Sequence, residues 1–114
     1  MVVNFGGYRF SEPVRLVGWK PLPSSGVYAL LIPGSSPLTR SGYQVIYLGE
    51  SRNLAGLSVD ERHPAYPCWL LLAGSRDNLY ISTYLTYNWT KEKRQALAKK
   101  LAAAYRPFCN YEAR

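Results

Sequence analysis

Two β-rich runs, residues 27–32 (VYALLI) and 44–49 (QVIYLG), constrain this chain most, because only a polar stretch opened by Pro33 and Gly34 separates them. Proline cannot donate to a sheet ladder, so the first run stops there. A polar loop over 33–42 then lets the two runs pair as antiparallel neighbours, which brings Tyr28 and Tyr47 into one neighbourhood. A third strand is predicted over 79–86. There Leu79, Ile81, Thr83 and Leu85 alternate with Tyr80, Ser82, Tyr84 and Thr86, the period-2 pattern of a half-buried strand.

Helices are expected around these strands. Short ones fit 53–57 and 68–73, the second ended by Gly74. Thr90 can cap a longer helix in which Leu97, Leu101, Ala104 and Tyr105 recur at helical spacing, with Pro107 closing it. Residues 1–25 mix aromatics with turn formers and suit an added arm or edge strands near 8–10 and 14–19. A length of 114 residues allows one core, so residues 1–114 form a single domain. The expected class is α/β in the broad (α+β) sense: a small antiparallel sheet of three main strands flanked by helices.

Charge narrows the partners. The chain has a net charge of +7, which concentrates polyanions near it and makes nucleic acid the leading partner class. Its longest apolar run, 68–73, falls far short of the about 20 residues a membrane span needs. The N-terminus shows no basic segment leading into an apolar one, so a soluble cytoplasmic protein without a membrane partner is expected. Cys68 and Cys109 lack metal-ligand spacing and read as buried free thiols in a reducing compartment.

Four short motifs occur in a fixed order: Gly26-Val27-Tyr28, then Tyr47-Leu48-Gly49, then Glu50-Ser51-Arg52-Asn53-Leu54, and finally Pro107-Phe108-Cys109-Asn110 after the long helix. Together they span nearly the whole chain, and the pattern resembles the GIY-YIG nuclease family. That resemblance implies phosphodiester hydrolysis with Mg²⁺ or Mn²⁺ on DNA, more than on RNA. Tyr28 and Tyr47 would handle the nucleophile's proton and orient the phosphate, an arginine would contact it, and Asn110 would support the site. The family's metal-binding glutamate falls at Ala98, and Leu57 stands where the arginine is expected. A methyl group cannot hold a hard cation. Glu50 is the replacement ligand to consider, with Asp60 and Glu61 in reach only through the loop, and Arg62 with His63 could serve if that loop folds back.

Each assignment has a plainer rival. Tyr28 and Tyr47 are also ordinary sheet aromatics, and His63 is also an ordinary loop residue. Lys91, Lys93, Arg94, Lys99 and Lys100, opposed only by Glu92, give residues 91–100 a charge of +4 that suits a phosphate backbone or a solvated helix face. Arg9, Arg15, Lys20, Arg40, Arg52 and Arg76 lie among Tyr8, Trp19, Tyr43 and Trp69, which could stack on unpaired bases or fill a core. Two functions follow: a metal-dependent GIY-YIG-type endonuclease, or a non-catalytic module that binds nucleic acid or a protein through the same groove.

Overall fold

The computed structural model describes residues 3–34 and 42–112; most of the expected loop, residues 35–41 with Arg40, lies outside them. Six strands and three α-helices follow in order: β1 (Val3–Phe5), β2 (Tyr8–Phe10), β3 (Val14–Arg15), β4 (Gly26–Pro33), β5 (Tyr43–Ser51), α1 (Tyr66–Ala73), β6 (Tyr80–Leu85), α2 (Lys91–Tyr105) and α3 (Phe108–Glu112). Short 3₁₀ turns occupy Leu54–Gly56 and Arg76–Asn78. The main sheet has the order β3-β6-β4-β5, with antiparallel neighbours throughout. The β1–β2 hairpin forms a separate two-stranded sheet. The fold is thus α+β, the three expected main strands being joined at one edge by β3, which falls within the edge strand expected near 14–19.

Both faces of that sheet are covered. Val27, Ala29 and Leu31 of β4 join Phe5, Phe10, Leu97, Ala98 and Leu101 in one core, under α2 and the hairpin. Tyr28 and Leu30 join Leu54, Trp69, Leu79, Ile81 and Cys109 in the other, under α1 and α3. The alternation in β6 therefore separates two cores rather than core from solvent. Tyr80 and Tyr84 pack on the α2 side, while Leu79, Ile81 and Leu85 pack on the α1 side.

A β-bulge decides which residues of β5 face which core. Leu30 pairs with Tyr47 but Leu31 pairs with Val45, so Ile46 is an extra residue in the ladder. One inserted residue reverses the facing of everything beyond it. Val45 consequently packs on the α2 side, while Ile46 and Tyr47 both pack on the α1 side. The regular pairing of Leu30 with Tyr47 sets Tyr47 on the face of Tyr28, and without the bulge Val45 would share that face instead of joining the α2-side core.

The helices begin and end for local reasons. The Thr90 side chain accepts a hydrogen bond from Lys93 N at 3.1 Å, capping α2 as its sequence suggests. The buried stripe of α2 is Arg94, Leu97, Ala98 and Leu101, whereas Ala104, expected inside, is exposed. Helix α1 starts two residues earlier than predicted, with proline in its first turn, and ends at Gly74 in the left-handed conformation (φ 82°).

The cysteines overturn their sequence reading. Cys68 on α1 and Cys109 on α3 form a disulfide with Cα atoms 5.7 Å apart, although 41 positions separate them in sequence. Packing of α3 against α1 creates that proximity, which spacing alone cannot reveal. Neither cysteine is the buried free thiol expected, so the pair gives no ground for a reducing compartment. Among the described residues, no helix is long and apolar enough to cross a membrane.

Candidate functional site

Three of the sequence candidates meet on the α1 face. The Tyr28 and Tyr47 rings lie with centroids 6.0 Å apart, and Tyr28 Oη is 3.0 Å from His63 Nε2. Gly49 makes room for this arrangement. A Cβ at that position would stand 2.6 Å from Cζ and Oη of Tyr28, closer than carbon atoms approach, so the phenol lies over bare backbone. His63 is no solvated loop residue. It is buried, 4.5 Å from the Trp69 ring and 5.2 Å from the Tyr47 ring, because the loop before α1 folds back onto the sheet.

The hydrogen bonds impose a direction. The Ala65 N–H donates to His63 Nδ1 at 3.0 Å, so the neutral ring carries its proton on Nε2 and donates to Tyr28. Tyr28 in turn hydrogen-bonds Tyr47. Burial pushes the Tyr28 phenol far above its ordinary value, with the neighbouring Tyr47 and Glu50 adding to the shift. Burial also raises Tyr47 and lowers His63. All three groups are therefore neutral at pH 7, and the outer phenol, Tyr47, acts as a hydrogen-bond donor rather than as a base.

Tyr47 opens onto a groove of about 610 Å³ between the edge strand β5 and α2. Tyr28, Tyr47, Glu50, Ala98, Lys99 and Asn110 line it, together with Gln95 and small residues of α2. Asn110 closes one end by bonding both backbone groups of Leu48: Leu48 N–H donates to Oδ1 at 2.8 Å, and Nδ2 donates to Leu48 O at 2.7 Å. This double bond pattern imitates a neighbouring strand and satisfies the sheet edge at that point. Compared with known proteins, the chain matches no family model, no curated protein and no solved structure.

Other candidates lie elsewhere. Arg94, expected to contact phosphate, is buried, and its Nε donates to Glu50 Oε1 at 2.6 Å. Its position three and four residues before Leu97 and Ala98 places it on the inward face of α2, a signal the sequence carried. Arg62 is exposed and holds Asp60 through two side-chain bonds of 3.0 and 2.7 Å, so it does not reach the groove. That bond keeps the Asp60 carboxyl near a pKa of about 2. Arg52 is exposed on the turn after β5, and Leu57 packs against the α1-side core. Lys91, Lys93, Lys99 and Lys100 are exposed, but Lys99 alone of these lines the groove. Of the expected stacking aromatics, Trp69 is fully buried and Tyr43 packs against Tyr80. Sequence reasoning missed Trp89, which lies 4.3 Å beneath the Lys93 ammonium.

The donor set does not fit the implied Mg²⁺ or Mn²⁺. Glu50 is the one carboxylate among the groove's lining residues, and Arg94 holds it. Ala98 offers a methyl group, and both ends of the Asn110 amide are committed to Leu48. Among the described residues, no three His, Cys, Asp or Glu side chains converge as a metal site. Hard divalent cations need several oxygen ligands. No chemical step through a metal follows from these residues.

Proposed function

We propose that this chain is a nucleic-acid-binding domain of GIY-YIG type that holds a phosphate backbone in the β5–α2 groove without cleaving it. One observation carries the reading: residues from three distant segments, Tyr28, Tyr47 and Asn110, line a single groove together with position 98. They are the positions to which the motif resemblance assigns phosphate handling. Tyr47 supplies a neutral donor aimed at a phosphate oxygen, and Lys99 supplies a rim charge. The internal pairing of Glu50 with Arg94 removes one negative charge that would repel a polyanion. The same pairing, with Ala98, leaves hydrolysis without its metal ligands.

The test combines binding and cleavage. The wild-type chain is expected to bind duplex or branched DNA with an affinity that falls steeply with salt, by a slope of about 0.9 per phosphate contact. Lys99→Glu should weaken binding and flatten that slope by about 1. Plasmid, branched and single-stranded substrates should stay intact with Mg²⁺ or Mn²⁺. Cleavage by the wild-type chain would refute the non-hydrolytic reading, and salt-insensitive association with a protein would replace the nucleic-acid partner. Cleavage by Ala98→Glu alone would identify the groove as a nuclease scaffold lacking its metal ligand.

A further inference from the structure

On the opposite side of α2 from the sheet edge lies a second, smaller crevice of about 200 Å³, between the helix and the β1–β2 hairpin. Tyr8, Trp89, Lys93, Ala96, Leu97 and Lys100 line it, and none of these is acidic. Its aromatic wall is continuous. Tyr8 meets Tyr84 edge-on at 5.4 Å, and Tyr84 meets Trp89 at 5.9 Å. Each ring braces the next, so Tyr8 and Trp89, both half-buried, are held in place before binding.

Two ammonium groups frame this wall. Lys93 and Lys100 sit two helical turns apart on one face of α2, a rise of ~10.5 Å along the axis. Lys93 rests over the Trp89 ring at 4.3 Å, a cation–π contact at an exposed site weak enough for an incoming phosphate to draw the ammonium away. Glu92, the acidic residue in the first turn of α2, is not among the lining residues. An aromatic face with flanking cations and no carboxylate complements an unpaired base with a phosphate on either side. In a duplex the base faces are hidden by stacking, so the same crevice offers double-stranded DNA only its charges.

We infer that the Tyr8–Trp89 crevice is a single-strand subsite, in which one unpaired base stacks on the aromatic wall while Lys93 and Lys100 hold its flanking phosphates. The inference rests on the nucleic-acid reading above and specifies its substrate: a polynucleotide with an unpaired segment beside the portion held in the groove. The β5–α2 groove and this crevice lie on different faces of α2, so the strand would cross the helix between Lys99 and Lys100.

The experiment measures fluorescence anisotropy of a labelled oligo-dT and of a duplex of equal length, titrated with the full chain at low salt. Trp89→Ala should weaken oligo-dT binding about tenfold, as expected for one lost base stack, and leave duplex affinity within about twofold. Trp89→Phe should keep most of the single-strand affinity, because a stacking face remains. Lys100→Glu changes an exposed side chain without touching the core, and should likewise weaken oligo-dT more than duplex. Unchanged strand preference in Lys100→Glu and Trp89→Ala overturns the crevice while leaving the groove reading in place. Failure of the wild-type chain to bind either probe overturns both.

Discussion

Replacing Glu50 by alanine strands the Arg94 guanidinium where its side chain is only 7% exposed. Two unit charges about 4 Å apart at an effective dielectric of 20 attract by about 4 kcal/mol. The Glu50 side chain is 24% exposed, so water entering the space it leaves recovers part of that. A net loss of about 2–3 kcal/mol follows, just below the range for breaking a fully buried pair. The reverse change is milder. Arg94→Met keeps the apolar volume and leaves a carboxylate that can hydrate through its exposed quarter, for a loss of about 1 kcal/mol. The double variant Glu50→Ala/Arg94→Met should be more stable than Glu50→Ala alone, because the orphaned charge is gone. Urea unfolding followed by tryptophan fluorescence reads all three, with Glu50→Ala moving the midpoint by about 1–2 M. A loss below about 0.5 kcal/mol in Glu50→Ala, or an Arg94→Met variant weaker than Glu50→Ala, would refute the claim that Glu50 serves as counter-ion to a buried arginine.

Further predictions concern the supports of the groove. Closing the 41-residue separation between Cys68 and Cys109 is worth about 4 kcal/mol of denatured-state entropy, so a Cys68→Ser/Cys109→Ser variant should unfold at markedly lower urea than the oxidised wild type, with the reductant-treated wild type following it. Asn110→Ala leaves Leu48 N–H and C=O without their partners and should cost about 2 kcal/mol, with amide exchange at Leu48 rising in step; protection unchanged at Leu48 would contradict the clamp. His63 has a folded pKa below its ordinary 6.5, so the unfolded chain binds the extra proton first as pH falls. Its contribution to stability is complete above pH 6.5 and is lost below it, where protonation also removes the Nδ1 acceptor used by Ala65; thermal melts across that window should flatten in His63→Gln.

Much of this architecture was written locally in the chain. The strands at 26–33, 43–51 and 80–85 follow from short β-rich runs bounded by proline and glycine, and Thr90 marks the start of α2 through a hydrogen bond three residues long. Tyr28 and Tyr47 were legible as neighbours because the loop between their strands lets those strands pair, whereas Asn110 joined them only through what the motif resemblance implies. Arg94 was legible too, by its spacing from Leu97 and Ala98, though counting charges along residues 91–100 hid it.

Tertiary structure decided the rest. The bulge at Ile46 turns Val45 onto the α2 side while Tyr47 stays on the face of Tyr28, and no local signal in 44–49 announces an extra residue in a ladder whose partner lies elsewhere. Covering the sheet on both sides converts the alternation of β6 from core-and-solvent into core-and-core, since period 2 reports the two faces of a strand but not what lies against them. His63 becomes the inner member of a hydrogen-bonded series, and Cys68 finds Cys109, because the chain between them folds back; contact between distant segments depends on how elements pack, which spacing along the chain does not encode.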